Sequence, residues 1–294
     1  MISRGFSPFR LQAACLLCLS LSTGMAMAAP QVVASIKPLQ LIAAAITDGV
    51  STPALAVASG QDPHHLSLRP SERRALQQAA LVLWVGPMLE LPLVDVIENL
   101  DAIVITAQQL PAIQIAAVAD GNDPHLWLDS INARRIAAAL ATELQQLDVA
   151  NAAQYSSNAT RFAQTLDALD ADIDYALQPL QTAPWAVSHH AFRYFAQQRG
   201  LQEPLALTDS SNNAPGVRSV VTMREQLAAR HIDCLLTEPT ENHQQLDALL
   251  SGSTINIVSA DVLGSTLEPA ADAYANLLRQ LTAALQRCMG GSNE

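Results

Sequence analysis

Short runs of apolar residues recur along the chain and constrain its fold more than any other feature. Helix-like segments separate neighbouring runs. The runs are apolar throughout rather than alternating apolar and polar, which is typical of parallel strands covered by helices on both faces. We therefore predict an α/β fold. The runs are QVVASI, ALAVAS, LVLWVG and AIVITA in the first half and WAVS, PLALT, CLLTE and INIVSAD in the second.

A segment without glycine or proline, from Asn151 to Gln178, separates the two sets of strands. Apolar residues recur there every three or four positions, which predicts one long amphipathic helix of ~40 Å at about 1.5 Å per residue. We predict an N-terminal α/β lobe at 29–150, a rigid connecting helix at 151–180 and a C-terminal α/β lobe at 181–294. Each lobe is expected to hold a mostly parallel sheet flanked by helices. The apolar positions of the helix are Tyr155, Ala159, Phe162, Leu166, Leu169, Ile173 and Leu177.

The first residues have the pattern of a secretory signal. Arg4 and Arg10 precede the apolar run LQAACLLCLSLSTG, and the small residues AMA follow at 26–28. The run is too short and wrongly flanked for a helix that spans a membrane. We predict a signal peptide at 1–28, with cleavage near Ala28.

The chain is acidic, with 16 basic and 27 acidic residues and a net charge of −11. Two of the basic residues, Arg4 and Arg10, lie in the predicted signal peptide, so the remainder is more acidic still. This charge argues against binding to nucleic acid or to anionic lipid.

Two of the four cysteines, Cys234 and Cys288, lie outside the predicted signal peptide. Two cysteines in an exported chain predict a disulfide bond. The alternative is a pair of metal thiolates, which is disfavoured because no other ligand type lies beside Cys288.

Most of the histidines fall in three clusters, each after a strand-like run, and an aspartate follows a fourth run. Ligands of open α/β sheets bind at the carboxyl ends of the strands. Two of these groups come from each predicted lobe, so we expect them to converge in the cleft between the lobes. The groups are His64 with His65 after ALAVAS, His125 after AIVITA, His189 with His190 after WAVS, and Asp261 after INIVS.

Three imidazoles and one carboxylate form a four-coordinate set that suits zinc and other transition metals, whereas calcium and magnesium prefer oxygen ligands. Ligand histidines usually donate their second ring N–H to an acceptor. Asp62, Asp123, Asp129 and Glu238 are the candidates for that role. Taken singly, each histidine could equally be a solvated loop residue, and an aspartate before proline is a common turn former. The metal hypothesis depends on their combination.

At these residues the sequence resembles the periplasmic metal-binding proteins of bacterial ABC importers, the group that binds zinc or manganese, and among them the zinc-uptake members. The resemblance covers the whole chain after the signal peptide. The motifs that carry it are ASIKPLQLIAAAITDGV, SLRPSERRALQQAALVLWVGP, HLWLD, HHAFRYFAQQRGL and LLTEPT.

The resemblance assigns roles to individual residues. His64, His125 and His189 match three metal ligands of the family, and Asp261 matches an aspartate that is the fourth ligand in many members. A histidine at position 189 implies zinc, because manganese-selective relatives tend to have a carboxylate there. Cys234 and Cys288 match the disulfide of the zinc proteins.

Two features depart from the pattern of the zinc-uptake members. Many of these have a long His- and Asp-rich loop before the second ligand, whereas QQLPAIQIAAVADGNDPH has no histidine before His125. Some have an acidic residue just before the first ligand, where this chain has Pro63. Asp261 or a water molecule is then expected to complete the coordination sphere.

The resemblance implies a monomeric periplasmic protein that captures Zn(II) as its cargo. It would deliver the ion to an ABC-importer permease driven by a cytoplasmic ATPase. Binding is expected to weaken as the pH falls towards about 6.5, where free imidazole takes up a proton. The alternatives are a zinc chaperone, an adhesin-like relative or another paralogue of the same fold, and a mononuclear zinc hydrolase with Glu238 as its base.

Overall fold

The computed structural model describes residues 28–118, 121–208, 217–239, 250 and 253–290, with the backbone alone for 217–220. The predicted signal peptide, except for Ala28, lies outside this part of the chain. None of the described helices has both the length and the apolar character needed to cross a membrane.

The N-terminal half forms a four-stranded sheet in the order β2-β1-β3-β4. All its pairs are parallel, which confirms the prediction from the continuous apolar runs. All residues of β1 and β3 are buried, because helices cover the sheet. The strands are β1 Val32–Ala34, β2 Ala54–Leu55, β3 Leu81–Trp84 and β4 Ile103–Thr106.

Four helices accompany this sheet. The first is buried over almost its whole length, and it contacts helices of both halves of the molecule. The two shortest, between β3 and β4, were not predicted from the sequence. The helices are α1 Lys37–Thr47, α2 Pro70–Gln78, α3 Pro87–Glu90 and α4 Val94–Ile97.

The start of α2 corrects a prediction from the local sequence. Ser71 after Pro70 has the pattern of an N-cap, but the helix begins at Pro70 and Arg69 is the capping residue. Proline fits the first helical position because the amide that it lacks would have no partner there. The Glu72 carboxylate accepts a hydrogen bond from the Arg69 backbone N–H at 2.6 Å, which closes the first turn of the helix.

The middle of the chain supplies a small hairpin and two long helices. The hairpin pairs β5 Ala117–Val118 with β6 Gly121–Asn122. Helix α5 spans Ser130–Leu147, and α6 spans Ala152–Leu177 with a 3₁₀ continuation to Leu180. The predicted connecting helix is therefore confirmed. Its buried stripe is Tyr155, Phe162, Leu166, Leu169, Ile173 and Leu177.

The C-terminal half has the same architecture, a four-stranded parallel sheet in the order β10-β9-β7-β8. Cys234 at the start of β9 is disulfide-bonded to Cys288 near the end of the last helix, as predicted. The strands are β7 Ala186–Val187, β8 Leu205–Ala206, β9 Cys234–Thr237 and β10 Asn256–Ser259, and the helices are α7 Arg193–Gln198, α8 Val217–Ala229 and α9 Ala273–Met289.

One apolar core joins the two halves. It includes residues from both sheets and from α1, α5, α6 and α9. Hydrogen bonds reinforce it between the lobes, because Trp127 Nε1 donates to the Val262 carbonyl at 2.9 Å and Tyr274 donates its hydroxyl to the Trp127 carbonyl. The two sheets therefore present the carboxyl ends of their strands to a cleft whose floor is firmly packed.

Candidate metal centre

Three histidines meet in the cleft between the sheets. His64 lies in the loop after β2, His125 follows β6, and His189 follows β7. One ring nitrogen from each lies within 4.8 Å of the others. The ring centroids are 5.3, 5.3 and 4.8 Å apart. The structure thus brings together the three histidines that the resemblance selected.

The Asp-Pro-His sequence occurs twice and has the same local geometry each time. Asp62 Oδ1 accepts the His64 backbone N–H at 2.9 Å, and Asp123 Oδ1 accepts the His125 backbone N–H at 3.0 Å. An aspartate side chain that bonds to the backbone two residues later forms a tight local turn. The turn fixes the Cα–Cβ direction of the histidine that ends it.

Two of the three imidazoles donate to carboxylates, of which Asp123 is buried and Glu238 is partly buried. His125 Nδ1 lies 2.8 Å from Asp123 Oδ1, and His189 Nδ1 lies 2.7 Å from Glu238 Oε1. Such contacts place the proton on Nδ1 and the lone pair on Nε2, and they make imidazole a stronger donor to a metal. Asp123 and Glu238 therefore occupy the supporting positions expected from the sequence.

The other two acidic candidates have different contacts. The Asp62 carboxylate lies 2.9 Å from the ring of His65, and its only described contact with His64 is through the backbone amide. Asp129 caps α5 by accepting from the amides of Ile131 and Asn132. No described contact joins Asp129 to the three histidines.

Asp261 is not part of the described histidine group. Its Oδ1 accepts the amides of Leu263 and Gly264, and its Oδ2 accepts the amide and the hydroxyl of Ser265. An aspartate that follows a strand can satisfy the amides of its own loop as readily as it can bind a metal. The predicted role of Asp261 as fourth ligand therefore gains no support from this geometry.

His65 and His190, which are adjacent to His64 and His189 in the sequence, point away from the group of three histidines. The side chain of His65 is 62% exposed and contacts Asp62. His190 Nε2 lies 3.3 Å from Glu203 Oε1 on the other side of its loop. The geometry therefore separates His64 from His65 and His189 from His190, the same distinction that the resemblance drew from the sequence.

Around the three rings lies a cavity of about 20 Å³. That volume accepts a single water-sized group and is far below the roughly 300–1,000 Å³ of sites for organic ligands. Trp127 closes one side, with its ring 5.2 Å from that of His125. The cavity is lined by Gln61, Asp62, Pro63, His64, His125, Trp127, His189, Glu238, Val262 and Leu263.

Burial lowers the pKa of two of the three histidines. Burial and the nearby rings of His125 and His189 lower the pKa of His64 to about 3. Burial also lowers the pKa of His125, although Asp123 opposes the shift. Burial would raise the pKa of Asp123, but the hydrogen bonds and charge of His125 outweigh it and lower that pKa. Neutral imidazoles beside an ionised carboxylate are the protonation states that metal binding requires.

Sequence reasoning assigned no role to several polar residues near the site. Tyr194 donates its hydroxyl to the Asp123 carbonyl at 2.7 Å, Arg193 lies beside Asp123, and Glu203 lies beside Arg193. Arg193 and Tyr194 belong to the motif HHAFRYFAQQRGL, which carries the resemblance, but the motif does not show what they contact. Only the three-dimensional packing of the two halves brings them to the site.

The fold and the site define a class. Two α/β lobes that supply imidazoles to one small cleft, above a long connecting helix, form a solute-binding protein for a transition-metal ion. The model of the periplasmic zinc-uptake complex component A, ZnuA, matches residues 32–288. The chain belongs to this family, whose members are solute-binding transport proteins and not enzymes.

Individual relatives agree with this assignment. The high-affinity zinc uptake system protein ZnuA of Yersinia pestis is 30% identical over 296 residues, covering 90% of this chain and 92% of the relative. A crystal structure of ZnuA has a TM-score of 0.77 at 23% identity, covering 87% of this chain and 97% of that one. The periplasmic zinc-binding protein TroA of Treponema pallidum has a TM-score of 0.76 at 21% identity, covering 87% and 99%.

Family membership makes the chain the periplasmic component of an ABC zinc-uptake system. The comparisons offer no support for a zinc chaperone or a zinc hydrolase.

Proposed function

We propose that His64, His125 and His189 bind one Zn(II) ion through their Nε2 atoms. The observation that carries the proposal is the spacing of His64 Nε2 and His125 Nε2, which are 3.3 Å apart. Two nitrogens bound to one tetrahedral zinc ion at roughly 2.0–2.1 Å would be about 3.3 Å apart. The observed spacing therefore matches that of two nitrogen ligands of one zinc ion.

A solvent oxygen completes the four-coordinate site in this proposal. Pro63 offers no ligand atom beside His64, and the oxygens of Asp261 are occupied by its own loop. Glu238 supports His189 rather than replacing the solvent ligand. Asp123 and Glu238 together supply two carboxylates that balance the charge of the ion.

The captured ion is then delivered to the permease of the importer, which the cytoplasmic ATPase drives. We infer that the protein acts as a monomer after cleavage of the signal peptide near Ala28 and does not bind nucleic acid. The shared core and the bonds of Trp127 to Val262 and Tyr274 support a limited movement of the lobes during delivery.

Zinc titration by calorimetry, with manganese in competition, tests the proposal. We expect one zinc ion per chain and a much weaker affinity for manganese, because manganese lies low in the affinity series for nitrogen ligands. Copper and nickel also suit imidazole, so elemental analysis of protein purified from the native periplasm identifies the cargo. Similar affinities for zinc and manganese would contradict the proposal.

A further inference from the structure

The carboxylate behind His125 faces both halves of the molecule. Asp123 is fully buried, and its Oδ1 is engaged by the backbone and the ring of His125. Its Oδ2 is turned towards the C-terminal half, where Arg193 Nε lies at 3.7 Å and His190 Nδ1 at 3.9 Å. Asp123 thus links the imidazole of His125, in the N-terminal half, to the guanidinium of Arg193, in the C-terminal half.

Arg193 is held in this position from its outer side. Its Nη2 lies 3.0 Å from Glu203 Oε1 and 3.1 Å from His190 Nε2. The next residue, Tyr194, donates to the Asp123 carbonyl and accepts the Ala116 amide at 3.0 Å. The start of α7 therefore contacts both the backbone and the carboxylate of the loop that carries His125.

The charges of Asp123 and Arg193 account for this arrangement. A carboxylate removed from water is costly unless a cation or hydrogen bonds compensate it. The Asp123 carboxylate accepts a hydrogen bond from Nδ1 of His125, which fixes the tautomer of the imidazole and orients the ring.

We propose that Arg193 is a positioning residue that holds Asp123, and through it His125, ready for the metal from across the cleft. The proposal rests on the proposed function of the site. His189 lies on the same short segment as Arg193, so that segment both supplies one ligand and orients another. Movement of the lobes apart would then separate His189 from the other ligands and withdraw Arg193 from Asp123 in a single step.

Zinc affinity of Arg193→Gln and Arg193→Lys tests the proposal. Loss of a supporting partner typically weakens metal binding about 10- to 100-fold, and because Arg193 acts through Asp123 we expect about 10-fold for Arg193→Gln. Arg193→Lys keeps the positive charge and should restore most of the affinity. Arg134→Gln is the matched control, because Arg134 is similarly buried and ion-paired but contacts α6.

A spectroscopic measurement separates positioning from a general structural role. The NMR signal of the His125 Nδ1 proton in metal-free protein should shift in Arg193→Gln and return in Arg193→Lys. An Arg193→Gln affinity within about twofold of the unaltered protein would overturn the proposal, as would a loss that Arg193→Lys does not restore or that leaves the His125 signal unmoved. Failure of the unaltered protein to bind zinc would instead refute the proposed function, since the signal in metal-free protein still reports on Arg193.

Discussion

At the scale of single residues, the site depends on two short turns that aim their histidines in the same way. The sequence was sufficient to find the three histidine clusters, because each follows a strand whose end faces the cleft. It could not predict the contacts of Asp129 and Asp261, because an aspartate that caps a helix or its own loop looks the same in sequence as one that supports a metal. That choice is made by the amides nearby in space.

The paired histidines give the sharpest residue-scale prediction. His64→Ala, His125→Ala and His189→Ala should each weaken zinc binding by more than the roughly 10- to 100-fold that loss of a supporting partner causes. His65→Ala and His190→Ala should stay within a few-fold of the unaltered protein, because these rings face Asp62 and Glu203. Calorimetric titration with zinc measures all five variants.

Asp261→Asn belongs to the same experiment as a control for the fourth ligand. It should weaken zinc binding much less than any of the three histidine substitutions. A loss as large as theirs would mean that the loop at 261–265 rearranges to bring the carboxylate to the ion. If His65→Ala were the damaging histidine substitution, the assignment of the first ligand would be wrong.

At the scale of elements, α6 supports the molecule through a buried ion pair. Arg199, which follows α7, has a side chain that is 1% exposed and pairs with Asp170 and Asp174 of α6. Asp170 also pairs with Arg134 of α5. These ion pairs attach the C-terminal half to α6 at Asp170 and Asp174.

Substitution of Arg199 tests the importance of this attachment. Arg199→Met should lower the free energy of unfolding by about 3 kcal/mol, the low end of the range for a broken buried pair, because Asp170 keeps Arg134. The matched control is Arg161→Met, because Arg161 of α6 forms an exposed pair with Asp48 at the end of α1, and that pair should contribute less than about 1 kcal/mol. Urea unfolding of metal-free protein measures both, and equal losses would contradict the assignment.

The elements themselves were predictable to different degrees. The eight strands of the two sheets were found because continuous apolar runs show burial on both faces. Helices α3 and α4 and the β5–β6 hairpin were missed, since segments of two to four residues are too short to show a period. Their conformation depends on tertiary contacts, such as the Gln108 side-chain oxygen that accepts the Met88 amide of α3 at 3.1 Å.

At the scale of the whole molecule, the buried site makes metal-free protein sensitive to acid. In the unfolded chain His64 takes up a proton near pH 6.5, whereas in the folded protein its pKa is lowered to about 3. Between these values the unfolded state binds more protons, so stability rises with pH and falls as the solution is acidified.

We therefore expect the free energy of unfolding of metal-free protein to fall between pH 7.5 and 4.5, and to fall less in His64→Gln. Urea titrations in the presence of a chelator measure this difference. Identical pH dependence in both proteins would contradict the lowered pKa of His64. For the same reason we expect zinc binding to persist below the pH of about 6.5 that free imidazole would suggest.

The small volume of the cavity has a consequence for the rate at which ions enter. A hydrated divalent ion is far larger than a space of about 20 Å³, so it must lose most of its water before the three imidazoles can surround it. Ions that exchange water quickly can do so one molecule at a time at the mouth of the cleft. Magnesium gives up its water reluctantly, so we expect it to enter this small space more slowly than zinc.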